Sequence, residues 1–237
     1  MKNLLILLVP LLLALTPKQQ PLEMVHLNSR NSIAFRGEVN DESIAKLETS
    51  VAALVKERGH SAYPIYIVLD SPGGDVGSGS DFIEFARSIP NLHTISVFAA
   101  SMAAGMVEGI EGRRLILRNG TLMFHRAKVG LQGQVGEGEF ESRLAYIKRQ
   151  LEDMELQNAS RMLMTLAEYK QKIKDELWLY GPDAVISHAA DKTVDLVCSQ
   201  ELIDQRSTEV QCSLFGCAEI KFSGCPLFRA PVSIKVQ

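Results

Sequence analysis

The sequence predicts an α/β fold built on a mostly parallel sheet, and three observations carry that expectation. Residues 64–69 (PIYIVL) and 94–98 (TISVF) are short apolar runs rich in β-branched residues, the pattern of strands buried on both faces. Segments with helical periodicity stand between and after such runs, at the spacing of βαβ units. The first run also ends in Asp70-Ser71-Pro72-Gly73-Gly74, a strand-to-helix turn where the two glycines let the chain reverse sharply.

The elements follow in order. Residues 26–36 hold an extended stretch ending in Ile33-Ala34-Phe35. Asn40 offers an N-cap, and Asp41 and Glu42 offer first-turn acids, for a helix whose Ile44, Leu47, Val51 and Val55 share one face out to Gly59. After the strand at 64–69, residues 82–89 read as a helix, and after the strand at 94–98, residues 99–110 (AASMAAGMVEGI) read as a helix of small side chains. Residues 114–117 and 121–124 read as two short strands, and a glycine-rich stretch follows with Gly130, Gly133, Gly136 and Gly138. A long helix starts near Glu139, with Phe140, Leu144, Ile147, Leu151 and Met154 as its apolar stripe, and extends toward Leu166. Residues 175–190 give an extended piece and then a helix, and 193–197 a last strand. The alternation fails beyond Cys198. The organisation expected is a core domain over 26–197 and a cysteine-containing appendage over 198–237.

Residues 1–16 stand apart. A lysine at position 2 precedes an apolar run from Leu4 to Leu15 that contains Pro10, and a polar exit follows. A bilayer-spanning helix needs about twenty apolar residues, so the segment reads as a secretory signal peptide, with an uncleaved anchor as the alternative. Either places the domain outside the cytoplasm, periplasmic or secreted, and a membrane contact is expected only if the segment is retained. Cys198, Cys212, Cys217 and Cys225 are then expected to form disulfides, with the connectivity open. Their spacing lacks the paired C-x-x-C of a zinc site, so no metal is expected. The 25 Lys+Arg and 28 Asp+Glu are mixed along the chain with no basic patch, which argues against a nucleic-acid partner. At 46% hydrophobic and 22% charged, the chain is neither a disordered segment nor a coiled-coil rod.

Three places could do chemistry. Gly73 and Gly74 bring bare backbone to the carboxyl edge of the sheet, where open α/β sheets bind ligands, although a tight βα turn would need the same residues. Ser101 lies between a buried strand and a helix. A serine there commonly serves as an N-cap. Its small neighbours also admit a close approach, and the helix N-terminus suits a developing oxyanion. His125 is the one histidine that directly follows a short apolar strand, whereas His26, His60, His93 and His188 read as structural.

In combination and in order, SPGG, AASMA and MFHRA resemble the Clp protease proteolytic subunit family of the ClpP/crotonase superfamily. FRGEVND (35–41), GLQGQVGEGEFESR (130–143) and WLYGPDAVISHAADKTVD (178–195) extend the resemblance over about residues 28–197. The resemblance implies a superhelical βαβ spiral with a long handle-like helix. It also implies a serine endopeptidase that needs no cofactor, acts on peptides or unfolded proteins, and assembles as a homo-oligomer. Carried over, it makes Ser101 the nucleophile, His125 its general base, and the backbone N–H groups of Gly74 and Met102 the oxyanion hole. Gly73, Gly130, Leu131 and Gly133 would contact substrate. Alignment on Pro182 brings Glu176 to the place of the family's aspartate, with Asp175 beside it. Adjacent side chains of an extended chain point to opposite faces, so one of the two is expected to reach His125. Glu176 is the expectation and Asp175 the alternative. Ala103 stands where the family commonly has glycine. No counterpart of the loops that meet an ATP-driven unfoldase is recognisable, so an ATP-independent enzyme is expected. The rival readings are a Ser-Lys peptidase of the signal peptide peptidase A type, an acyl-CoA enzyme of the same superfamily, and an inactive module that binds peptides along the glycine-rich segment.

Overall fold

The computed structural model describes residues 22–59, 63–128, 136–213 and 216–236. Residues 1–16, Gly130, Leu131 and Gly133 lie outside them, and with them the expectations for a signal segment and for three of the substrate contacts.

The chain opens with strands β1 (Glu23–Leu27) and β2 (Ser32–Arg36), followed by helix α1 (Asp41–Arg58). The Asn40 side chain accepts from the Ser43 N–H and Ser43 returns the bond, so the capping expected from the sequence is present. Strand β3 (Ile65–Ser71), helix α2 (Val76–Arg87), strand β4 (Leu92–Ala100), helix α3 (Met102–Gly109) and strand β5 (Arg114–Phe124) come next. Helix α2 starts six residues earlier than the apolar pattern indicated, because Asp75 caps the Ser78 N–H at 2.7 Å. Ala99 and Ala100 belong to β4, not to the following helix, since they pair with Leu122 and Met123. The two short strands expected after α3 are one bent strand, whose register against β4 shifts between Ser96 and Phe98.

Helix α4 (Glu137–Arg161) is the long helix, and it ends before Leu166. Leu163 takes a φ of 55°, and Thr165 opens a new helix, α5 (Leu166–Lys172), with a Thr165–Glu168 capping box. Strand β6 (Leu177–Tyr180), helix α6 (Pro182–Ile186) and strand β7 (Lys192–Cys198) complete the core domain. The appendage is helix α7 (Gln200–Asp204) and three antiparallel strands, β8 (Arg206–Ser213), β9 (Gly216–Ser223) and β10 (Ser233–Val236).

The main sheet has seven strands in the order β1-β7-β5-β4-β3-β2, with β6 added antiparallel to the distal half of β5. All other pairings in it are parallel. β1 and β2 sit at opposite ends of this order, yet only residues 28–31 join them. Six flat strands would put those ends about 24 Å apart at about 4.8 Å per strand. The five peptide steps from Leu27 to Ser32 reach at most about 18 Å. The sheet must therefore curl, as the spiral fold requires.

Side-chain alternation serves both faces of the curl. Ile65, Ile67 and Leu69 face the helical layer with Phe82, Met106 and Val51, whereas Tyr66 and Val68 join Val25, Ile95, Leu115 and Val194 in a second cluster. Leu202 and Cys225 from the appendage belong to that second cluster, so the appendage closes the fold rather than trailing from it. A disulfide links Cys198 at the end of β7 to Cys225, and Cys217 is disulfide-bonded as well. The first of these closes a loop with a sequence separation of 27 residues. Replacing Cys198 and Cys225 by serine is expected to lower stability by about 2–4 kcal/mol in urea denaturation of the oxidised protein. Under reducing conditions the same substitutions should cost less, leaving only the burial of a serine hydroxyl where the Cys225 side chain sits in the second cluster.

Candidate active site

Strand β4 ends at Ala100, and the Ser101 N–H carries the ladder one residue further by donating to the Met123 carbonyl at 2.8 Å. The chain then turns abruptly. Ser101 has φ 54° and ψ −123°, and α3 begins at the next residue. A non-glycine residue in that region costs of order 1–3 kcal/mol and persists only where its surroundings impose it. Serine on a sharp strand-to-helix turn presents its hydroxyl outward at the sheet's edge, as in a nucleophile elbow. Ser101 does not cap α3. Its Oγ instead lies 2.8 Å from Nε2 of His125, which comes directly after the end of β5. The parallel pairing of β4 with β5 makes this contact possible, because Ala100 and Met123 are register partners.

The turn after β3 packs against the elbow. Gly73 has φ 89°, and a Cβ there would lie 2.4 Å from the Ala100 carbonyl oxygen, 2.7 Å from the Ser101 Cβ and 2.8 Å from the Met102 nitrogen. Glycine is thus required for both conformation and approach. Gly73→Ala is expected to cost about 1–3 kcal/mol in denaturation and to lose activity beyond that loss of folded protein, because the turn must move off Ser101. Gly74 bridges to Val39, and the Val39 N–H and carbonyl are taken by Gly73 and Asp75. Among the described residues, neither the Gly74 nor the Met102 N–H donates a hydrogen bond. These two donors stand on the two turns that meet where Gly73 lies against Ser101 and Met102.

A cavity of about 30 Å³ adjoins the pair. Val76, Met102, Phe124, Met154 and Ile173 give it apolar walls, and the buried Asn158 also lines it, donating from Nδ2 to the Tyr169 hydroxyl at 3.0 Å. Burial pushes that hydroxyl's pKa above the ordinary tyrosine range, so it stays a neutral donor or acceptor.

The acidic member is not brought to the histidine. Glu176 is exposed, with φ 86°, and its Oε2 accepts from the Trp178 indole N–H at 2.9 Å. Asp175 is exposed too, and no carboxylate of the described residues is hydrogen-bonded to His125. The backbone nonetheless runs close. Leu177 pairs antiparallel with Phe124, and the residues one step beyond that pair are Glu176 and His125. No metal-binding group of His, Cys, Asp and Glu side chains exists among the described residues.

Sequence reasoning missed that Asp70, just ahead of the glycine turn, is held by Arg229 from the appendage. No local signal could have found a pair 159 residues apart.

The family model for Clp protease matches residues 19–195, which takes in both glycines of the turn, the elbow serine and the histidine that meets it. With a curled parallel sheet carrying those residues at its carboxyl edge, the chain belongs to the Clp protease family, a family of peptidases.

Proposed function

We propose that this protein is an exported, ATP-independent serine endopeptidase that hydrolyses peptide bonds through an acyl-enzyme. The observation that carries the reading is the 2.8 Å contact between Ser101 Oγ and His125 Nε2 at a strained elbow. His125 takes the proton as Ser101 attacks the peptide carbonyl and returns it to the leaving amine. Water then repeats the sequence on the ester. The N–H groups of Gly74 and Met102 receive the oxyanion, each such donor being worth about 3–4 kcal/mol in the transition state. Glu176 serves as third member by turning its carboxylate from Trp178 to Nδ1 of His125, with Asp175 as the alternative.

Export is supported by the apolar run at the N-terminus and by the Cys198–Cys225 disulfide, since such bonds persist in oxidising compartments. Assembly into a homo-oligomer is supported by the first half of α4, where Phe140 and Tyr146 stand 45% and 63% exposed. A histidine base is favoured over a lysine base because His125 is the hydrogen-bond partner of the Ser101 hydroxyl.

Labelling with a serine-reactive fluorophosphonate tests the reading. The purified wild type is expected to label, and Ser101→Ala and His125→Ala to lose the label while remaining folded. Labelling that survives without His125 moves the base to another residue. A folded wild type that does not label supports the inactive peptide-binding module.

A further inference from the structure

The turn that carries Gly73 and Gly74 is gripped from outside the core domain. Arg229, in the segment between β9 and β10, donates from Nε to Asp70 Oδ2 at 2.8 Å and from Nη2 to Asp70 Oδ1 at 2.6 Å. This is a two-pronged pair, and the Asp70 side chain is only 15% exposed. It therefore differs from an open surface ion pair, whose worth is small.

The same segment holds the neighbouring strand. Arg36, register partner of Asp70 across β2 and β3, donates to the carbonyls of Cys225 and Phe228 at 3.2 and 3.4 Å, and stacks over Phe222 with 5.4 Å to the ring centroid. Cys225 is in turn tied to Cys198. The appendage thus clamps the carboxyl ends of both β2 and β3.

Asp70 leads directly into the oxyanion turn. The β3–β4 register shifts at the Leu69/Asp70 step, so Asp70 is where the strand leaves its regular path. Its carbonyl accepts from the Gly37 N–H, and the next residue, the fully buried Ser71, accepts the Gly73 N–H on its Oγ at 3.1 Å. Gly73 lies against Ser101 and Met102. An unbroken run of five residues, Asp70 to Gly74, leads from the guanidinium's partner to the Gly74 donor.

We infer that Arg229 is a positioning residue for peptide hydrolysis: through Asp70 it fixes the Gly73–Gly74 turn against Ser101. This rests on the serine-peptidase reading above. An appendage built in this way makes the geometry of the oxyanion site depend on its own docking.

The experiment is steady-state hydrolysis of a peptidyl methylcoumarin amide with leucine at the scissile bond. It compares full-length wild type, Arg229→Ala, Arg229→Lys, Asp70→Asn and the exchange Asp70→Arg/Arg229→Asp, with rates normalised to folded protein. A misplaced oxyanion site lowers the rate of the chemical step and spares ground-state binding. Arg229→Ala and Asp70→Asn are therefore expected to lose about 10- to 100-fold in kcat with KM changed less than about two-fold. Affinity for a peptide boronate, which mimics the tetrahedral adduct, should fall in step. Arg229→Lys and the exchange should recover part of the loss. If Arg229→Ala does not fold, Asp70→Asn and Arg229→Lys carry the same comparison. An active wild type whose variants keep kcat and boronate affinity, or whose losses vanish on normalisation, overturns the inference and leaves the peptidase reading standing. A folded wild type that neither hydrolyses the amide nor labels with fluorophosphonate overturns the peptidase reading and this inference with it.

Discussion

Ser101→Ala and His125→Ala are each expected to lower kcat for peptide hydrolysis by about 10⁴- to 10⁶-fold, and the double variant to be little worse than either alone. The reason is that the two side chains act as one unit. The hydroxyl is a weak nucleophile until the imidazole 2.8 Å away accepts its proton, and without the hydroxyl the imidazole has no serine to activate and no acyl-enzyme forms. The activity left in each variant is what the Gly74 and Met102 donors provide to an attack without the paired nucleophile and base, by water where Ser101 is absent. Additive losses in the double variant would mean that the two residues act independently, and the assignment of His125 as the base of Ser101 would fail.

Glu176→Gln is the informative companion. The carboxylate rests on Trp178, so a loss of activity in Glu176→Gln would show that it leaves the indole during turnover. Unchanged activity in both Glu176→Gln and Asp175→Asn would make the enzyme a Ser-His dyad.

How much of this was legible in the sequence depends on the range of the interaction concerned. The strand at Ile65–Ser71 and the cap at Asn40 were readable because apolar periodicity and capping involve residues a few positions apart. The Thr165–Glu168 box is just as local but went unread, because the apolar pattern running across it masked the break between α4 and α5. Ser101 was ambiguous for a physical reason. A serine between strand and helix serves equally as cap or nucleophile, and the choice is made by its φ of 54° and by a histidine 24 residues away. The orientation of the Glu176 carboxylate was beyond sequence reasoning, because it turns on side-chain torsions rather than on chain position. The appendage strands went unread although Val210 and Cys212, and Ala218, Ile220 and Phe222, alternate with polar residues, because the tail has no βαβ spacing to set them in order. Family resemblance does not reach them either, since it ends near residue 195.

Arg114→Met is expected to be the most destabilising single substitution in the core, at about 3–5 kcal/mol near pH 8. Arg114 stands at the start of β5 with its side chain 8% exposed. It bonds Glu108 on α3 at 2.6 Å, Asp191 before β7 at 2.6 and 3.2 Å, and the carbonyls of His188 and Arg161 at 2.8 and 3.2 Å. One guanidinium therefore ties the helix behind the elbow to the end of α4 and to the loop before β7. Glu108 is fully buried, and one of its oxygens, Oε1, has no partner among the described residues. Burial pushes its pKa up to about 7 against the pull of Arg114, whereas Asp191, also resisted by burial, is held below the ordinary carboxylate range by its bonds to Arg114. A buried acid whose folded pKa lies above its unfolded one binds more protons when folded. Stability contributed by Glu108 is therefore greatest in acid, declines between the ordinary carboxylate range and about pH 7, and is level above it. Without Arg114 the folded pKa rises further, so the decline continues to higher pH. The penalty of Arg114→Met should be clearly larger at pH 8.5 than at pH 5.5, where Glu108 is protonated in both proteins. Glu108→Gln should flatten the wild-type decline, and Arg114→Lys, which keeps the charge without the fork, should recover only part of the loss. Urea denaturation at the two pH values measures all four proteins. A penalty below about 1 kcal/mol for Arg114→Met at both pH values would show that the two carboxylates do not depend on Arg114 in the folded chain.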